Sequence, residues 1–246
     1  MKFRIVLVAL AVLALGALAV FLYIVRPSAR ASAPIAAVPI GATSTESAAV
    51  AATESGGDSP TPTPAAHSGG TVFQISQEES EVRFTLHEEL RNVPTTVIGV
   101  SNQVAAEILI NVTTPAESTV GVVSINARTL ATDNNLRNRA IQNEILDTAS
   151  YEFIMFRPTA ITGLPGAITL GQSFSFQITG DLTIRNVTRS VTFDITVTPV
   201  SEARLEGYAS TTVLRTDFDL RIPNVPNVAN VTDEVLLEIE FVAVAK

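Results

Sequence analysis

The sequence predicts an all-β domain built on an antiparallel sheet, and three observations lead there. Residues 173–198 read SFSFQITGDLTIRNVTRSVTFDITVT, two runs of strict apolar–polar alternation joined by a short polar break. Further alternating runs flank them, separated by Gly and Pro. Within residues 71–246, only 133–146 switches to helical spacing. Successive side chains of a strand point to opposite faces, so a period of two marks a sheet with one apolar face. Alternation of this kind fits a barrel or a sandwich.

Three regions follow from composition. Residues 1–26 contain Ile5–Val25, apolar throughout apart from Gly16. Twenty-one residues of helix reach about 30 Å, the thickness of a bilayer's hydrocarbon core. A cleaved signal carries an apolar core of only ~7–15 residues, so the stretch is read as an uncleaved transmembrane anchor. Ala31-Ser32-Ala33 leaves cleavage and release as the alternative. Lys2 and Arg4 put the N-terminus in the cytoplasm and the rest outside it, while Arg26 and Arg30 argue the other way. Residues 27–70 are rich in Ala, Ser, Thr, Pro and Gly without hydrophobic periodicity, and are read as a disordered linker. As a flexible chain it would hold the domain ~35–40 Å from the membrane.

Residues 71–246 form the folded domain. Val72 to Ile75 opens it. Val82, Phe84 and Leu86 alternate inward along Ser80–Leu86. Val97–Val100 and Val104–Ile110, with Ile108 inward, give the next segments. Val120–Ala127 presents Val123 and Ile125. Asp133 is a plausible N-cap for a helix carrying Leu136, Ala140, Ile141 and Ile145 on one side. Tyr151–Arg157 resumes strand with Phe153 and Phe156. Then comes the long hairpin: Phe174, Phe176, Ile178, Gly180, Leu182 and Ile184 on one face, and Val191, Phe193, Ile195 and Val197 on the returning one, about the turn Arg185-Asn186-Val187-Thr188. Its first arm spans about 35 Å, and a mid-strand glycine marks a bend or a close approach, so the sheet is expected to curl. Arg204–Val213 is another strand, Asp217–Asn230 a Pro- and Asn-rich loop, and Val235, Leu237, Ile239 and Phe241 alternate along the closing strand. The total is roughly eight strands and one helix.

The motif GDLTIRNVTRSVTFDITV resembles the signature hairpin of the YceI-like family of exported lipid-binding proteins: Gly180, Leu182, Thr183, Ile184, Arg185, Val187, Thr188, Arg189, Val191 and Phe193 fit it. Ser80, Val82 and Phe84 resemble its opening motif. Asn126–Leu130, the helix and Tyr151–Phe156 resemble its strand–helix–strand core. Arg215-Thr216-Asp217-Phe218 resembles its R-x-D-F-G loop, with Asp219 where glycine is usual, and His87 to Leu90 differ in spacing. The resemblance spans residues 71–246 and implies a lipocalin-like barrel holding a polyisoprenoid or similar lipid.

The remaining chemistry is sparse. The chain has 246 residues, no Cys, two His and a net charge of −8. Without Cys there are no disulfides, thiolate nucleophiles or lipidated N-terminal Cys. No basic stripe with interleaved aromatics is present, so nucleic acid is not an expected partner. His67 lies in the linker, and His87 stands beside Glu88 and Glu89 without a further ligand or catalytic partner in sequence. No cofactor, metal or catalytic residue is expected, and the protein is read as non-enzymatic. The binding candidates are the inward stripe, Phe84, Leu86, Ile108, Phe153, Phe156, Phe174, Phe176, Ile178, Leu182, Val191, Phe193, Ile239 and Phe241, with Arg137 and Arg139 as candidates for a lipid headgroup. The same stripe also suits a barrel filled by its own side chains, serving as an envelope structural or protein-interaction module.

Overall fold

The computed structural model describes residues 28–32, 34–41 and 70–246. The expected anchor and most of the expected linker lie outside the described residues, among which no helix is long and apolar enough to cross a membrane.

The strands are β1 (Thr71–Ile75), β2 (Glu81–Leu90), β3 (Val93–Ser101), β4 (Val104–Ala105), β5 (Glu107–Ile110), β6 (Thr119–Val120), β7 (Val123–Asn126), β8 (Phe153–Thr162), β9 (Phe174–Ile184), β10 (Val187–Ser201), β11 (Arg204–Leu214), β12 (Val228–Ala229) and β13 (Glu234–Ala245). Helix α1 (Asn135–Ala140) lies between β7 and β8 and runs on into a single π-type turn, Ile141–Ile145. The fold is a curled, lipocalin-like antiparallel sheet with one short helix. The hydrogen-bonded order is β4-β7-β8-β9-β10-β11-β13-β1-β5-β6. The ends of that path fall on neighbouring chain. β4 and β5 are one extended segment interrupted at Ala106, and β6 and β7 another interrupted at Gly121 and Val122; β4 pairs with β7 while β5 pairs with β6. Such interruptions raise the strand number above the eight expected.

The β9–β10 hairpin keeps the expected register, from Val187 opposite Ile184 to Val197 opposite Phe174. Its turn is tighter than expected: two residues, with the positive φ taken by Arg185 (56°) and not by Asn186. Inward, Ile178, Leu182 and Ile184 are buried, each worth about 1.5–3 kcal/mol of transfer free energy. Outward, the polar residues bond to each other across the strands: Ser175 to Thr196 (2.9 Å), Gln177 to Asp194 (2.8 Å), Thr179 to Thr192 (2.8 Å) and Thr183 to Thr188 (2.9 Å).

Three elements differ from the sequence expectation. First, β2 continues through His87 and Glu88 to Leu90 and returns directly as β3. The two-residue connection, Arg91 and Asn92, has φ of 54° and 63°, the pair of positive values that matches strand twist in a tight hairpin. The Glu at position 88 interrupts the apolar alternation and hides this hairpin. Second, the helix is capped by Asn134, whose Oδ1 accepts from the N–H of Leu136 (2.9 Å) and of Arg137 (3.1 Å). Asp133 instead pairs with Arg137. Third, Arg185 braces the far end of the helical segment: Nη1 donates to the Ile145 carbonyl at 3.3 Å, and the guanidinium sits 5.8 Å from the Tyr151 ring centroid.

Large rings meet small residues across the sheet. Phe84 faces Gly99 and Phe241 faces Gly207 in register, and each ring lies where a glycine Cβ would be. Gly180, expected to mark a bend or close approach, lies under Phe156, whose Cζ is 2.6 Å from an added Cβ.

Residues 28–32 and 34–41 have no regular secondary structure beyond bends and turns, yet they are bonded to the domain. The Arg30 carbonyl accepts from Arg128 Nη1 (3.0 Å). Ser32 donates its N–H and its hydroxyl to Glu152, both at 2.7 Å. The Ile35 carbonyl accepts from Gln77 Nε2 (2.6 Å), and the Ile40 N–H donates to Glu107 Oε2 (2.8 Å). Glu107 points outward from β5 and is 4 % exposed; its other oxygen accepts from Lys246 Nζ at 2.5 Å. Burial pushes the Glu152 carboxyl up, but the two Ser32 donors, Asn126 and Arg128 outweigh that and hold it below the usual glutamate value.

Two outcomes are expected. Gly207→Ala forces the Phe241 ring off the wall, and overpacking of this kind costs ~1–3 kcal/mol, measurable as a lower urea midpoint with unchanged slope. Because Glu152 titrates lower in the folded protein than unfolded, its contribution is complete above the unfolded value and is lost as pH falls through the folded one. Hydrogen exchange of residues 28–41 should therefore be constant from neutral pH down to about 5, after correction for intrinsic rates, and speed up only in stronger acid.

Candidate functional site

The inward face encloses a cavity of about 810 Å³. Three of its lining rings, Phe84, Phe156 and Phe241, lie over a glycine of an adjacent strand. Phe156 packs edge-on to Phe193 with centroids 5.0 Å apart, and Phe174 stacks on Phe176 at 5.7 Å. One end is bounded by Ile110, Val120, Phe174 and Phe176. The other, the mouth, is formed by α1, by the β2–β3 tip and by the loop preceding β12, through Leu136, Leu90, Val93, Pro223 and Val225.

Eleven of the thirteen residues expected on the inward stripe line this space. Phe84, Leu86, Ile108, Phe156, Phe174 and Phe176 do so, as do Ile178, Leu182, Phe193, Ile239 and Phe241. Phe153 does not. It is three positions from Phe156, and an alternating strand cannot turn both inward; Ile154 and Phe156 take the interior, and Phe153 is exposed. Val191 shares the inner face and packs on the core without reaching the cavity. The sequence reading passed over Ile75, Leu130 and Ile195 as lining residues, and the segment Phe218 to Val231 that closes over them. That segment is positioned by Arg215, which donates through Nε to the Thr232 carbonyl (3.1 Å) and through Nη1 to that of Leu220 (3.0 Å). Asp219 adopts φ 54° and ψ 28° there, a left-handed conformation natural to glycine.

The two headgroup candidates part company. Arg137 lines the mouth, but its guanidinium is engaged: Nη2 meets Glu88 Oε1 at 2.8 Å and Nη1 meets Asp133 Oδ1 at 2.6 Å. Glu88 is 8 % exposed and has the inward parity of Val82, Phe84 and Leu86. A carboxylate at an inward position was the available signal that a cation must meet it; the partner, 49 residues away, was not legible. Arg139 is exposed and outside the lining. Arg91 does line the mouth, is exposed, and has no side-chain partner among the described residues. His87 is exposed on β2, with Nδ1 3.2 Å from Thr96 Oγ1. Among the described residues no three His, Asp or Glu are grouped to hold a metal. The arrangement is a largely apolar chamber with Glu88, Arg91, Arg137 and Arg215 at its mouth and Arg83 and Glu238 along the β2–β13 wall.

Comparison with known proteins places this architecture. The model of the YceI-like domain matches residues 73–243. Two solved structures share the fold. BcnA of Burkholderia cenocepacia has 20 % identity and a TM-score of 0.55, over 68 % of this chain and 98 % of its own. A polyisoprenoid-binding domain from Saccharophagus degradans, implicated in plant cell wall breakdown, has 13 % identity and a TM-score of 0.56, over 72 % and 99 %. No curated protein matches the chain. With the family model running from the first strand to the last, the chain belongs to the YceI-like family.

Proposed function

We propose that the domain binds an elongated apolar lipid of the polyisoprenoid class in its cavity, and carries or sequesters it without transforming it. The observation that supports this reading is the chamber itself: about 810 Å³, within the 300–1,000 Å³ usual for small-molecule sites, and walled by aliphatic and aromatic side chains. Each methylene moved from water into such a space contributes about 0.8 kcal/mol, so a chain of several isoprene units needs no polar anchor to bind tightly. The Saccharophagus degradans domain of the same fold, described as polyisoprenoid-binding, supports the ligand class. The volume left free of side chains weighs against an interior filled by its own residues. Ile5–Val25 serves in this reading as a membrane anchor, with the domain on the extracytoplasmic side.

Native mass spectrometry after mild release from membranes should detect a co-purifying apolar ligand. Ala209→Trp, which fills the chamber from β11, should weaken binding of a lipophilic dye by about tenfold or more, equivalent to at least 1.4 kcal/mol. A protein that purifies empty and excludes the dye sinks the carrier reading. Protease added to spheroplasts should degrade the domain as it does in lysate; protection in spheroplasts would place it on the cytoplasmic side.

A further inference from the structure

We propose that residues 28–41 form an orienting strap that turns the cavity mouth toward the bilayer, so that lipid passes between membrane and chamber without crossing water. This rests on the reading of Ile5–Val25 as an anchor. The course of the strap carries the inference. Its first residues are held beside α1: Arg30 by Arg128, which precedes the helix, and Ser32 by Glu152, which follows it. That is the mouth end, since Leu136 and Arg137 of α1 line the opening. From there it descends the outer wall past Gln77 to Glu107 and Lys246, where Ile40 packs over Gly121, its Cγ1 3.2 Å from an added Cβ.

Two consequences follow from the endpoints. The chain enters the domain at the mouth, and only three residue steps separate Val25 from Ser28, a reach of at most ~11 Å. Residues 42–69, by contrast, leave and rejoin the domain at the same strand, because Ile40 is bonded to Glu107 and Gly70 packs on Leu109, both of β5. The long Ser/Thr/Pro stretch therefore does not set the distance from membrane to domain.

The rim suits an apolar surface. Leu136 is 71 % exposed, Val93 60 % and Val225 38 %, and all three border the opening. Arg137 there is neutralised by Glu88 and Asp133, which leaves Arg91, without a side-chain partner among the described residues, able to meet lipid phosphate. An exposed apolar rim with polar neighbours marks a membrane, ligand or protein contact, and the entry point of the strap names the bilayer as what covers it.

The absence of Cys from the chain makes the test clean. Leu136→Cys and Val93→Cys at the mouth, and Glu202→Cys at the β10–β11 turn on the opposite end, are labelled singly with bimane. Full-length protein is reconstituted into phosphatidylethanolamine–phosphatidylglycerol vesicles containing spin-labelled lipid. Quenching is expected at Leu136→Cys and Val93→Cys and not at Glu202→Cys. Replacing residues 30–41 by a Gly/Ser segment of equal length should abolish the difference while the protein still floats with the vesicles. Equal quenching at both ends, or none at the mouth, in vesicle-bound protein overturns the orientation and leaves the anchor standing. A difference that survives the replacement overturns the role of the strap. Protein that fails to float at all removes the anchor and the proposal with it.

Discussion

The molecule depends on one constraint: bulky side chains on the concave side of a curled sheet must lie flat if anything else is to fit inside. Alternation alone puts an aromatic or branched residue at nearly every inward position, and curvature brings those positions together. The rings of Phe84, Phe156 and Phe241 each lie over a glycine of an adjacent strand. The glycines give up the rigidity a β-branched residue would bring, and in exchange the rings become wall.

A second layer of organisation pairs the buried charge at the mouth. Burying a carboxylate among aliphatic side chains is costly unless it is paired, and Glu88 is tolerated because Arg137 reaches it from α1. The pair ties the β2–β3 hairpin to the helix, while Arg185 ties the helical segment to the β9–β10 turn. The mouth is thus framed by polar links between elements, whereas the chamber below it is framed by backbone ladders. Apolar character inside and polar connectivity above separate the chamber from the structure that shapes its doorway.

Much of this was legible in the sequence, for physical reasons that also explain the gaps. The β9–β10 hairpin could be read to the residue because one face is apolar and the other carries hydroxyls that pair across strands. The inward stripe was legible wherever parity was respected, and Phe153 was misplaced where aromatic character outweighed it. The β2–β3 hairpin was hidden by Glu88, whose burial depends on a partner 49 residues away. Residues 28–32 and 34–41 gave no periodic signal; they lie along the wall chiefly through backbone groups, with the Ser32 hydroxyl and the Ile40 side chain added, and such contacts leave no repeat in the sequence.

The docking of both flanks of residues 42–69 on β5 has an evolutionary corollary. For a loop whose ends are pinned together, doubling the length adds only ~0.6 kcal/mol of closure entropy. That stretch can then lengthen, shrink or change composition among descendants without disturbing the docked residues on either side of it. Selection would fall instead on the dozen residues ahead of it, where an insertion changes the docked register.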